Sequence, residues 1–244
     1  HFGVWNWEEY ISLFNDVINE KCIGEASVFY LYFYQEAIKN IKSFIGADVK
    51  IIIVLRNPIE RAYSAFNHVS KSTKENFSFK ESLMKEEDRL INDGTLTPMV
   101  MYKDMGLYYN MVKAYKEEFE NVHVILYEDF RDKTDMVLKN IFNFLEVSEI
   151  NKIDYSIRHN VGGKEWKNTR LKFLFQKENV LKNIYFKLVP DVIKNKIKVI
   201  FLHFSTNKVR TMNNTTKTYL KSFFKEDIDK LSRLIEKDLK HWTK

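Results

Sequence analysis

The chain is 244 residues long, 45% apolar and 15% aromatic, with 7 Gly, 3 Pro and a single Cys. So many aromatic residues exclude a disordered segment, and so few Gly and Pro exclude collagen-like or low-complexity sequence. The 39 basic residues outnumber the 33 acidic ones for a formal charge of +6, and one cysteine forms neither an internal disulfide nor a cysteine-based metal site.

Residues 7–19 place Tyr10, Phe14 and Val17 at helical spacing. Cys22–Leu31 reads as a short strand running into a turn, with a helix near 34–45. The strongest strand signal is Val49–Leu55, whose unbroken β-branched run predicts burial on both faces in a parallel sheet. A helix follows at once. Asn57 caps it, Pro58 suits its first turn, and Glu60 completes an N-x-x-E capping pattern. Residues 71–106 form an excursion with short helices around 78–91.

Tyr108, Met111, Val112, Tyr115 and Phe119 then mark one face of a helix over 107–119. Val122–Tyr127 is a second buried strand, and 134–145 is an amphipathic helix. A basic, glycine-containing loop spans 155–170, followed by helices near 171–187 and 190–204. Lys194–Lys198 reads as an exposed helix side. A last helix puts Phe224, Ile228, Leu231, Ile235 and Trp242 on one side. Strands alternating with helices predict an α/β layer fold with a parallel sheet and a mostly helical C-terminal third, in a single domain.

No apolar run approaches the roughly 20 residues of a membrane span, and a lone cysteine fits a reducing, cytoplasmic compartment. The chain opens on His1, with no basic segment and apolar stretch of a secretory leader behind it, so its start reads as a cut edge. Of the 39 basic residues 31 are Lys and 8 Arg. A mild positive excess suits either a solvated surface or an anionic ligand, and the scarce Arg mark the places where phosphate geometry matters.

Chemistry concentrates in Ile51–His68, IIIVLRNPIERAYSAFNH. Ligands of open α/β sheets gather at the carboxyl ends of strands. Arg56 leaves the strand there, and the helix beginning at Pro58 directs its positive dipole end to the same place. Arg61, Ser64 and His68 follow at spacings of three and four and share a helix face. A guanidinium and a hydroxyl so placed suit a phosphate; the bland alternative is a strand-to-helix turn whose Arg pairs with a neighbouring carboxylate.

The string Arg56-x-Pro58-x-x-Arg61-x-x-Ser64 after an apolar strand resembles the 3′-phosphate-binding element of sulfotransferases that use 3′-phosphoadenosine 5′-phosphosulfate (PAPS). Further pieces agree in order: G-E-A-S-x-x-Y-L at 24–31, Gly106-x-Tyr108, Tyr127-Glu128-Asp129, Phe144-Leu145, His159-Asn160-Val161-Gly162-Gly163 and Asp238-Leu239-x-x-Trp242. The resemblance, to bacterial-type members related to heparan-sulfate-type enzymes, implies a P-loop-NTPase-like three-layer fold with a central parallel sheet. It also implies sulfuryl transfer from PAPS to a hydroxyl or amine of a small molecule, glycan or peptide, without a metal.

Two departures stand out. The family's glycine-rich loop, G-x-x-K-[S/A]-G-T-T, which cradles the 5′-phosphosulfate, is absent from the sequence. His1-Phe2 resembles the end of the segment that follows that loop, so the loop, its lysine and a catalytic glutamate are expected upstream of residue 1. Ala26 stands where many glycan sulfotransferases carry an active-site lysine.

The resemblance assigns the cofactor's 3′-phosphate to Arg56 and Ser64. Arg61 either binds phosphate or ties its helix to the sheet. Gly163 and Lys164 belong to a late basic loop that closes over the phosphate or is a solvated turn. Trp166 covers the adenine or packs, and Tyr127 faces the nucleotide or anchors the core. Candidate bases are His1, Glu25 and His68; the bland readings are a frayed terminus, a salt-bridge partner and a packed helix histidine. Two other functions fit the same residues. A related nucleotide-dependent phosphotransferase is one, and a non-catalytic basic module for polyanions is the other, although no nucleic-acid-binding signature accompanies it.

Overall fold

The computed structural model describes residues 6–70, 75, 77–92, 98–148, 164–166, 206–208 and 211–244. The chain divides into two compact units, His1–Val54 with Lys116–Ile153, and Leu55–Tyr115 with Asp154–Lys244. The expected helices at 171–187 and 190–204, with the basic stretch 194–198, lie outside the described residues.

In the first unit, helix α1 (Trp7–Ser12) is capped by Asn6, whose side chain accepts from the Glu9 N–H at 2.8 Å. It is shorter than the apolar spacing predicts. The strand expected at Cys22–Leu31 is not formed: residues 22–27 are irregular and exposed and 28–33 are turns. An extended segment becomes a strand only when a neighbour takes its backbone groups, and no described strand lies beside this one.

Helix α2 (Tyr34–Phe44) buries Ala37 and Ile38. Strand β1 (Lys50–Leu55) pairs with β2 (Asn121–Leu126) in a parallel sheet, and the long chain between them supplies the crossover that parallel pairing requires. The burial of β1 on both faces is corrected. Ile53 and Leu55 are buried, whereas Ile52 is 36% and Val54 55% exposed. Burial thus alternates along the β-branched run. β2 stops one residue before the expected end, because Tyr127 opens helix α7 (Tyr127–Asp132), whose first turn carries Glu128 and Asp129 where the helix dipole favours acids. Helix α8 (Thr134–Leu145) follows and closes on Glu146 in the left-handed region, φ 59°.

The second unit begins where β1 ends. Helix α3 (Pro58–Val69) buries Pro58, Ile59, Ala62 and Val69. The excursion contains α4 (Phe79–Met84) and α5 (Glu86–Asn92), and a reciprocal capping box of Ser78 and Glu81 starts α4. An aromatic cluster of Tyr63, Phe66, Phe79 and Tyr102, with ring centroids 5.1–6.4 Å apart, packs the excursion on α3.

Its polar groups are satisfied as well. The fully buried Glu75 side chain accepts both guanidinium nitrogens of Arg89, at 2.9 and 2.7 Å, and the Tyr102 hydroxyl at 2.7 Å. Those partners hold the Glu75 carboxyl below its ordinary range although burial alone would raise it. Glu86, also buried, accepts the Lys103 and Asp104 N–H groups and turns the chain toward the next helix.

Helix α6 (Tyr108–Glu118) and the C-terminal helix α9 (Asn214–Leu234) complete the unit. α9 buries Leu220, Phe224, Ile228 and Leu231 as the periodicity predicts. Trp242 is not on that helix. The helix ends at Leu234, Glu236 adopts φ 54°, and Trp242 sits buried in a separate 3₁₀ turn, Lys240–Trp242. Strand β3 (Lys164–Trp166) pairs antiparallel with β4 (Thr206–Lys208), Lys164 opposite Lys208, so part of the expected 155–170 loop is a β-ladder. Among the described residues no helix is long and apolar enough to cross a membrane.

Two consequences can be measured. A Cβ on Gly106 would lie 2.8 Å from the buried Phe224 ring and 3.1 Å from Pro58 Cβ, so Gly106→Ala lowers the unfolding free energy by about 1–3 kcal/mol in denaturant titration. Asp227 accepts the Tyr108 and Tyr109 N–H groups, and burial pushes its carboxyl up to about 6 against those bonds. An acid with a raised native pKa binds its proton more tightly folded than unfolded, so this contribution to stability falls as pH rises from about 4 to about 6 and is constant above. Asp227→Asn removes that slope; across the window the parent loses about 1–2 kcal/mol relative to the variant, after allowance for solvent screening.

Candidate phosphate-binding site

The turn from β1 into α3 has to end a strand, start a helix and satisfy the backbone groups of both. Asn57 does much of this: its side-chain oxygen accepts the Ile59 N–H at 3.0 Å, its carbonyl accepts Arg61 N–H at 2.8 Å, and its amide donates to the Trp242 carbonyl at 3.2 Å. Pro58, at the first helical position, has no N–H to satisfy. The Arg56 carbonyl accepts the Tyr108 hydroxyl at 3.1 Å.

The Arg56 side chain is 34% exposed, and its Nη2 lies 3.3 Å from Oε2 of Glu60, which is itself 54% exposed. Glu60 was expected to complete the cap; its carboxylate pairs with Arg56 instead, one turn along α3. The guanidinium therefore lies along the exposed line Glu60, Ser64, His68, residues spaced four apart on α3 and all exposed. Ser64, at the centre of this line, presents its hydroxyl one turn beyond the carboxylate that Arg56 holds.

Arg61 is directed elsewhere. Its Nη2 donates to the Tyr102 carbonyl, which ties α3 to the excursion rather than to the sheet. Its Nε is buried and has no hydrogen-bond partner among the described residues. The structure thus brings Arg56, Ser64 and His68 onto one exposed stretch and sets Arg61 beside it, half-buried.

The other candidates lie on other elements. Glu25 is exposed on the irregular 22–27 segment, where its charge adds to burial in raising the Tyr10 phenol. Ala26 beside it is exposed too. Tyr127, 38% exposed, is the first residue of α7. Lys164 is the first residue of β3. His1 and Gly163 lie outside the described residues, and Trp166 is the last residue of β3.

Two participants escaped the reading of the sequence. Glu60 has a visible signal, the i, i+4 spacing from Arg56, which the capping pattern masked. Tyr108 stands in the Gly106-x-Tyr108 motif, but its bond to the Arg56 carbonyl leaves no local signal because it joins positions 52 residues apart.

Comparison with known proteins bears on this arrangement. The sulfotransferase domain family matches residues 37–180, which include β1, the Arg56 turn and α3. No curated protein matches the chain. Among solved structures, the chain is similar to a sulfotransferase from Alicyclobacillus acidocaldarius, with 29% identity and a TM-score of 0.71, over 100% of this chain and 76% of that one. The fold is accordingly the α/β, P-loop-like one, a parallel sheet flanked by helices. With a family match over more than half its length, which takes in the Arg56 turn and helix α3, the chain belongs to the sulfotransferase domain family.

Proposed function

We propose that the protein transfers a sulfuryl group from PAPS to a hydroxyl or amine acceptor, and that Arg56 and Ser64 grip the cofactor's 3′-phosphate. The observation that carries this reading is the placement of the Arg56 guanidinium at the start of α3, directed along the exposed face that presents Ser64. The residues suit the group: a partly exposed fork, an exposed serine and a helix N-terminus form an anion-favouring corner.

When bound, PAPS supplies the sulfuryl group and an adenosine bisphosphate leaving group, and displacement in line at sulfur needs chiefly positioning and charge stabilisation. Glu60 keeps the Arg56 fork oriented while the site is empty of anion. An exposed pair of this kind is worth about 0–1 kcal/mol, so a phosphate carrying more charge displaces the carboxylate at little cost. Ser64 donates its hydroxyl to the same phosphate, and Arg61 adds positive charge behind it. Gly163, Lys164 and Tyr127 are assigned to the nucleotide's flank. The acceptor proton goes to a base drawn from His1, Glu25 and His68; His68 shares α3 with Ser64. The acceptor is a small molecule, glycan or peptide, and with one exposed cysteine the protein suits a reducing, cytoplasmic setting.

Thermal unfolding tests the assignment. Adenosine 3′,5′-bisphosphate raises the Tm of the intact protein and ATP does not, because the recognised group is a phosphate on the ribose 3′ position; a shift with ATP alone would instead indicate a phosphotransferase. In Arg56→Ala the shift disappears while the far-UV circular dichroism is unchanged, and retention of the full shift refutes the role of Arg56. Ser64→Ala weakens bisphosphate binding less, by about 1–2 kcal/mol for one bond to a charged group, as calorimetry would read it.

A further inference from the structure

We infer that Tyr108 is a positioning residue for the Arg56 guanidinium, acting through the Arg56 peptide; the inference rests on the reading of Arg56 as a phosphate ligand. A bidentate fork works only when its planar donors face the anion squarely, so the direction in which residue 56 leaves the backbone sets how well it binds. That direction follows the peptide plane between Arg56 and Asn57. Tyr108 donates its hydroxyl to the carbonyl of that plane at 3.1 Å.

Tyr108 is itself held on several sides. Its ring is 4% exposed and meets Trp242 edge-to-face, centroids 6.4 Å apart. Its N–H donates to Asp227 at 2.9 Å. Two residues earlier, Gly106 approaches Phe224 and Pro58 so closely that no side chain fits. The next peptide of the turn is fixed by the same element, since Asn57 donates to the Trp242 carbonyl. The turn is thus held rigidly from the protein side while its one charged side chain remains partly exposed to ligand. Gly106-x-Tyr108, which the phosphate chemistry leaves without a task, acquires one as the rear support of the Arg56 turn.

The experiment is a double-mutant cycle on bisphosphate affinity in the intact protein, with Tyr108→Phe, Arg56→Lys and the pair, each checked by its unfolding midpoint. Tyr108→Phe removes one oxygen and no packing volume, and so leaves the fold in place. It raises the Kd for adenosine 3′,5′-bisphosphate about five-fold, the worth of one net hydrogen bond. In the Arg56→Lys background the same change costs less than about two-fold, because a lysine is a flexible point charge that needs no aimed fork. An unchanged Kd in Tyr108→Phe, or the same loss in both backgrounds, overturns the inference and leaves Tyr108 a stability residue only. Wild-type affinity in Arg56→Ala overturns it differently, by removing the reading of Arg56 on which it stands.

Discussion

The Arg56–Asn57 peptide is the constraint on which the second unit is organised. A strand gives way to a helix there within two residues. Distant chain supplies Tyr108 for the Arg56 carbonyl and the Trp242 carbonyl for the Asn57 amide, while the Asn57 side-chain oxygen takes the nearby Ile59 N–H of α3. A buried backbone group left unmade costs about as much as a hydrogen bond gains. The turn is therefore determined from behind, while its one charged side chain pairs with Glu60 at the surface.

A second polar network does for the excursion what the first does for the turn. Glu75, Arg89 and Tyr102 bond to one another inside the aromatic cluster that covers α3, and the Tyr102 carbonyl takes the Arg61 guanidinium. An ion pair buried so deeply adds little stability over an apolar core of equal volume. What it confers is registry: the bidentate fork and the phenol fit in one arrangement, which fixes where the excursion crosses α3.

Much of this was legible in the residues, and the failures share a cause. Apolar spacing located α6, α8 and α9, and Asn57-Pro58 marked the start of α3, because those signals are local. The β-branched run of β1 gave the strand but not its exposure, since Ile52 and Val54 depend on what lies over the sheet. The segment after Cys22 has strand composition without a strand neighbour, and Trp242 keeps helical spacing with Leu231 and Ile235 although the chain leaves the helix between them. The positions of Arg56 at the end of β1 and of Ser64 on an exposed face of α3 were readable from their spacing along strand and helix. Glu60 was assigned to a cap because the sequence shows that it can reach either the N-cap or Arg56, not which one it takes. The bonds from Tyr108 to Arg56 and from Arg61 to Tyr102 leave no trace in spacing, because they span 52 and 41 residues.

Asp227 caps a helix 119 positions earlier, and Trp242 receives an amide 185 positions earlier. On the ribosome, the residues that would grip an anion emerge long before the ones that lock them in place. The nascent chain carries its guanidinium turn without these bonds until helix α9 and Trp242 have left the exit tunnel. The order of the turn thus comes late, and a chain lacking α9 or Trp242 would hold the same residues without their rear supports.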